Sequence, residues 1–177
     1  MSFGQFFSRY PNDTFIETGS WGGGGIESAL EAGCFKKIIS IELCERLFSD
    51  CLVKFKGEPC VRMVLGDSAV VLGEILDEIK HPVTFWLDAH YSSADTAGSP
   101  RDQTVLHELY HVSRFEFREK SVVIVDDINM MGIPGSGLDN LSVDVVRERL
   151  SAINPLGRVF YDHGPAGPGE RSLVLAP

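Results

Sequence analysis

Apolar positions fall into two kinds of run that take turns along the chain. Short unbroken stretches rich in β-branched residues make one kind: Thr14-Phe15-Ile16, Lys36 to Glu42, Val61 to Leu65, Val83 to Leu87 and Val122 to Val125. Between them, apolar residues recur at helical spacing. The sets are Ile26, Ala29 and Leu30; Leu47, Cys51 and Phe55; Val71, Ile75 and Ile79; Val105, Leu109 and Val112; and Val146, Leu150 and Ile153. Unbroken strands alternating with amphipathic helices predict a parallel sheet covered on both faces. Two further runs, Arg158 to Tyr161 and Arg171 to Leu175, flank a Gly/Pro-rich turn and predict a closing hairpin. The expected fold is α/β: a doubly wound, mostly parallel seven-stranded sheet with helices on both faces and an antiparallel last strand. Gly33 stops the first helix, and Gly57 and Pro59 stop the one running from Cys44 to Lys56. Ser68 and Ser142 are the expected N-caps of later helices. Ile128 to Leu141, broken by Gly132, Pro134, Gly135 and Gly137, reads as irregular. No repeat or linker divides the sequence, so residues 1–177 form one domain.

In such a sheet a ligand lies beyond the carboxyl ends of the strands, at the switch point. The first five strands all end in acids: Glu17, Glu42, Asp67, Asp88 and the pair Asp126-Asp127. Asp also favours caps and turns, and Asp67 has that alternative. Like charges gathered on one edge repel, however, so a cation, a metal or a set of hydroxyls is expected among them. After Glu17 come Gly19, Ser20, Trp21 and the run Gly22 to Gly25, and a helix follows. Strand, glycine turn and helix together present backbone N–H groups and a positive helix end to a polar ligand. The spacing is not G-x-G-x-x-G, and a bare glycine cluster also serves as a surface turn. Glu42, ending the second strand, has the position that commonly holds ribose hydroxyls. Asp67 with the Ser68 N–H suits an adenine edge. The glycine turn contains no lysine, so a nucleoside carrying positive charge matches the acidic rim better than a pyrophosphate.

The segments IETGSWGGGG, ISIEL, LGDS, FWLDAHYSSADTA and IVDDI, in this order, resemble the Rossmann-like S-adenosylmethionine-dependent methyltransferases. The resemblance runs from about Thr14 to Pro177, and within that superfamily the arrangement is similar to the macrocin O-methyltransferase type. It implies S-adenosylmethionine (SAM) as cofactor, with Glu17 and the Gly19-Ser20-Trp21 backbone along its methionine part and Gly22 beside them. It implies Glu42 with Leu43 at the ribose, Asp67 and Ser68 at the adenine, and Asp88 facing the amine and the reaction centre. It further implies Mg²⁺ held by Asp88, Asp126 and Asp127 beside an acceptor hydroxyl, chemistry that hard oxygen donors suit. His90 is then the candidate general base, with a loop-anchoring role as its alternative. Trp21 stands where the family often has glycine.

A net charge of −9 argues against nucleic-acid or anionic-membrane partners. The N-terminus lacks the order of a signal peptide and no long apolar run is present, so a cytoplasmic location is expected. Cys34, Cys44, Cys51 and Cys60 contain no C-x-x-C and are expected as reduced thiols inside helices and strands. Only a short arm precedes Thr14, so no substrate-recognition domain is expected. A small hydroxylated substrate would be gripped by Tyr91 to Asp102 and Ile128 to Leu141 acting as lids, or by a second subunit. Phe3, Phe6, Phe7 and Tyr10 make the arm apolar enough to pack on a neighbour in a homo-oligomer. His107-Glu108-x-x-His111 matches the zinc-hydrolase motif H-E-x-x-H. Arg114 and Phe117 break its extended form, and no third-ligand Glu follows at about twenty residues. Helical periodicity turns both histidines to water. An NAD-dependent oxidoreductase and a non-catalytic nucleoside-binding module are the remaining alternatives.

Overall fold

The computed structural model of the chain describes residues 2–89, 103–163 and 172–177. Seven strands form one sheet in the order β3-β2-β1-β4-β5-β7-β6. They are β1 (Thr14–Thr18), β2 (Lys37–Glu42), β3 (Val61–Leu65), β4 (Val83–Leu87), β5 (Val122–Val125), β6 (Arg158–Asp162) and β7 (Ser172–Ala176). The first five are parallel to one another. β7 runs antiparallel to both β5 and β6, so the closing hairpin inserts its last strand into the sheet. The helices are α1 (Phe3–Phe7), α2 (Gly24–Ala32), α3 (Glu45–Lys54), α4 (Ser68–Asp77), α5 (Thr104–Arg114) and α6 (Val143–Ile153).

Every residue of β1, β4 and β5 is buried, as unbroken apolar strands require when both faces are covered. Successive side chains point to opposite faces and divide the core in two. Ile16, Ile39, Phe85 and Val123 pack with Leu72, Leu109, Val112 and Leu150, from α4, α5 and α6. Phe15, Ile38, Trp86 and Ile124 pack with Phe6, Phe7, Ile26 and Cys51, from α1, α2 and α3. The outer strand β3 is only partly covered.

Three expectations need correction. The aromatic arm does not wait for a neighbour. A capping box between Ser2 and Gln5 starts α1, and Phe6 and Phe7 are fully buried beneath it. The Phe7 ring meets Trp86 edge-on at 4.9 Å, so the arm completes the chain's own core. The cap of α4 is Asp67, whose carboxylate accepts from the Ala69 N–H at 2.9 Å, and Ser68 is the first helical residue. Ser142 does cap α6. All four cysteines are free, but only Cys51 lies inside a helix; Cys34, Cys44 and Cys60 are half-buried outside the elements. The stretch from Ile128 to Leu141 is irregular, as expected, and held by local hydrogen bonds. It opens with a 3-10 turn at Ile128–Met130, and Asp139 then accepts from the N–H groups of Gly135 and Gly137 at 2.6 and 3.0 Å. Those bonds, the Gly135 one foremost, hold the Asp139 carboxyl below its usual range, while Leu138 and Leu141 are buried. The other expected lid, Tyr91 to Asp102, lies outside the described residues. Among the described residues no helix is long and apolar enough to cross a membrane.

The buried arm has a measurable consequence. Phe7→Ala should cost about 3–5 kcal/mol in chemical denaturation, the range for a fully buried aromatic. A near-zero cost would mean that α1 is not part of the core.

Candidate active site

The strand order reverses between β1 and β4, which places the switch point of the sheet beside Thr18 and Leu87. The polypeptide leaves both strands there at very close range. Asp88 N–H donates to the Thr18 carbonyl and approaches its Oγ1, both at 3.2 Å. Gly19 has φ +82°, and a Cβ on it would stand 2.8 Å from the Asp88 carbonyl oxygen. Glycine is therefore required on two counts, conformation and contact.

Glu17 is turned inward rather than into open solvent. Its side chain is 2% exposed, accepts from Ser40 Oγ at 2.5 Å, and lies beneath the first turn of α2. A Cβ on Gly25 would come within 1.7 Å of Glu17 Oε1, so the glycine run is what lets the carboxyl sit at the helix start. Ser20 is buried too, and its hydroxyl is 2.6 Å from that of Ser40. Burial, against the opposing Ser40 bond and reinforced by the charge of Glu42, raises Glu17 to about 8.

Glu42 anchors the other side of the turn. One carboxylate oxygen accepts from Trp21 N–H at 2.9 Å and the other from Cys44 N–H at 2.8 Å. Trp21 pays for this position with a left-handed φ of +43°, and its indole is 70% exposed. Gly22 is exposed, and its carbonyl accepts from Lys54 Nζ at 2.8 Å, so a lysine from α3 reaches the turn that has none of its own. Leu43 is 44% exposed beside this turn. Asp67 is exposed at the α4 start, and Ser68 is buried.

On the far side of the switch point the acids act on one another. Asp88 is driven well above the carboxylate range by burial, then by the charges of Asp126, Asp127 and Glu17. Asp126 Oδ1 accepts from Ser172 Oγ of β7 at 2.8 Å. Asp127 adopts φ +51° at the start of the 3-10 turn. Glu17, Glu42, Asp88, Asp126 and Asp127 thus share one electrostatic neighbourhood at the carboxyl edge. Among the described residues, no group of three Asp, Glu, His or Cys side chains is gathered closely enough to hold a metal ion. His90 lies outside the described residues.

Glu108 was not among the site residues expected from the sequence. Its side chain is 0% exposed, accepts from Ser68 Oγ at 2.6 Å, and leaves Oε2 without a hydrogen-bond partner. Burial, against the pull of the Ser68 and Thr18 hydroxyls and with the charge of Asp67 adding to it, raises the carboxyl to about 7. The signal was present: Val105, Glu108, Leu109 and Val112 stand at i, i+3, i+4 and i+7, which makes Glu108 a core position. Nor do both histidines of the H-E-x-x-H motif face water. His107 is exposed, but His111 turns onto α4, with Nε2 2.8 Å from the Ala69 carbonyl.

No family model and no curated protein matches the sequence. Solved structures match the chain in fold. One described as a candidate rRNA methylase from Clostridium thermocellum is 13% identical, covering 98% of this chain and 94% of its own, with a TM-score of 0.68. A candidate methyltransferase from Streptococcus mutans in complex with SAH is also 13% identical, covering 97% and 93%, at 0.66. The O-methyltransferase TomG of tomaymycin synthesis from Streptomyces achromogenes, in complex with SAM, is 17% identical over 98% and 77%, at 0.64. The chain therefore has the Rossmann-like methyltransferase fold.

Two outcomes follow from the buried Glu17. Its folded-state value lies above that of the free side chain, so the folded protein keeps a proton that the unfolded chain releases. That contribution to stability is fully present below about pH 4.5 and declines as pH rises towards 8. Glu17→Gln should flatten the pH dependence of denaturation over that window; an unchanged slope would contradict the burial. Gly25→Ala should destabilise sharply, whereas Gly22→Ala, with nothing within 4 Å of a new Cβ, should be tolerated.

Proposed function

We propose that the protein is a SAM-dependent methyltransferase that modifies a hydroxyl of a small polar molecule. The observation that carries this reading is the convergence of Glu17, Glu42 and Asp88 on a glycine turn at the switch point of the sheet. SAM carries a sulfonium and an ammonium on an adenosine, and each part meets a suitable group. Glu42 is held in one orientation by two backbone N–H groups, and each carboxylate oxygen keeps a lone pair for a ribose hydroxyl. Asp67 uses Oδ1 to cap α4, and Oδ2 would accept from the adenine amine beside the Ser68 N–H. Asp88 would face the cationic end, where a positive charge offsets the burial and the neighbouring charges that raise its carboxyl, and Glu17, buried beneath the turn, would feel the same charge without touching the ligand. The complexes with SAM and SAH among the similar folds support the same cofactor.

Methyl transfer asks mainly for in-line placement, since the sulfonium is already reactive; orientation of this kind supplies roughly 7–11 kcal/mol in well-aligned reactions. His90, two positions after Asp88 in sequence, is the proposed base for the acceptor proton. Magnesium assistance is a separate part of the proposal. It rests on the hard oxygen donors of Asp88, Asp126 and Asp127 and on their mutual repulsion, although these are not drawn together into a ready three-ligand set. A bound ion would act there as a Lewis acid on the acceptor oxygen. A net charge of −9 favours a small acceptor over a nucleic acid, and a cytoplasmic site of action belongs to the same reading.

Calorimetry with SAM, SAH and NAD, each with and without Mg²⁺, tests the cofactor. SAM and SAH should bind and NAD should not; binding of NAD alone would replace this reading with an oxidoreductase. Glu42→Ala should weaken SAH at least about tenfold, ~1.4 kcal/mol, with folding intact. Incubation with a labelled methyl donor and a pool of hydroxylated metabolites then separates an enzyme from a binding module. In that assay Asp126→Asn should abolish metal-dependent turnover while sparing SAH affinity. Unchanged turnover would rule out the magnesium role.

A further inference from the structure

Glu108 is a buried acid on the apolar stripe of α5, where a leucine or methionine would cost less to bury. Its surroundings show what the carboxyl does that a hydrocarbon would not. Oε1 accepts from the hydroxyl of Ser68, the first residue of α4 and the one after the Asp67 cap. The Thr18 hydroxyl at the end of β1 lies near enough to favour the ionised form, without a hydrogen bond to Oε2. The same Thr18 oxygen is approached by the Asp88 N–H as β4 ends. One side chain therefore binds the entrance of α4 through the Ser68 hydroxyl, within electrostatic reach of Thr18 at the exit of β1. Those are the places where Asp67-Ser68 and Gly19 emerge.

We infer that Glu108 is a positioning residue for the nucleoside site: through the Ser68 hydroxyl it sets the α4 start in the arrangement that receives the ligand. It does not touch the ligand, since it has no exposed surface. The inference rests on the cofactor reading above, because it needs the ligand to lie against the α4 start. A second tie between α5 and α4 lies beside the Ser68 bond, where His111 reaches the Ala69 carbonyl one residue beyond Ser68. Both polar contacts from α5 land on the first two residues of α4, and neither lies further along it.

The test compares Glu108→Gln, which keeps an acceptor for Ser68 Oγ, with Glu108→Met, which keeps the volume and removes it. SAH affinity is read by calorimetry on the full chain, with Tm measured alongside. Glu108→Met should weaken SAH by at least about tenfold, ~1.4 kcal/mol, and Glu108→Gln should restore affinity to within about threefold of the unmutated chain. Ser68→Ala keeps the backbone N–H, so it should weaken SAH by itself and add little when combined with Glu108→Met, as members of one network do. If Glu108→Met fails to fold, Ser68→Ala decides alone. Full SAH affinity in Glu108→Met or in Ser68→Ala, whatever the change in Tm, would overturn the positioning role. Failure of the unmutated chain to bind SAH would instead remove the cofactor reading, and this inference with it.

Discussion

The arrangement depends on taking carboxyl groups out of water at the carboxyl edge of the sheet. Burial penalises the charged form, and neighbouring acids penalise it again. Glu17 and Asp88 meet both penalties across the switch point, and Asp126 and Asp127 add to the second. Nothing in folding alone favours such a gathering, because an apolar or neutral side chain would be cheaper at each position. A cation removes both penalties at once. The local structure is shaped around this need: Gly25 makes room for Glu17, Gly19 lets the turn pass against Asp88, and Trp21 accepts a left-handed backbone so that its N–H can reach Glu42.

The rest of the fold holds those exits still. Trp86 and Phe15 on one face, and Phe85 and Ile16 on the other, lock β1 and β4 side by side. The arm before β1 seals one of these cores with Phe6 and Phe7, and Tyr10 donates to Asp162 of β6 while Arg9 pairs with the same carboxylate at 2.9 Å. The arm before β1 is thus tied across to β6.

Much of this was legible in the residues. Unbroken apolar strands and helical stripes give the sheet and its covering layers, since burial on two faces leaves no room for alternation. The acids at strand ends were legible for the same reason: once the runs are placed, their last residues share an edge. What periodicity could not show was orientation. Glu17 appears as one more rim acid in sequence, yet it lies under α2, because the space above Gly25 becomes visible only when strand and helix are packed. The aromatic arm looked like a surface for a partner because nothing in a linear pattern says that α1 folds back on Trp86. The H-E-x-x-H spacing drew attention to the two histidines and away from Glu108, although its place on the Val105–Val112 stripe marked it as buried. Ser68 and Asp67 exchanged roles by one position, the ordinary uncertainty of a helix start.

Burial and mutual charge hold the acids of the switch point above their usual range, and a positive ligand there would shift them back. Proton exchange on binding tests it most directly. SAM should be titrated into the protein at pH 7 in two buffers of different ionisation enthalpy. A cation beside a Glu17 raised to about 8 favours its ionised form, so binding should release protons and the two apparent heats should differ accordingly. Equal heats in both buffers, or proton uptake, would contradict the account.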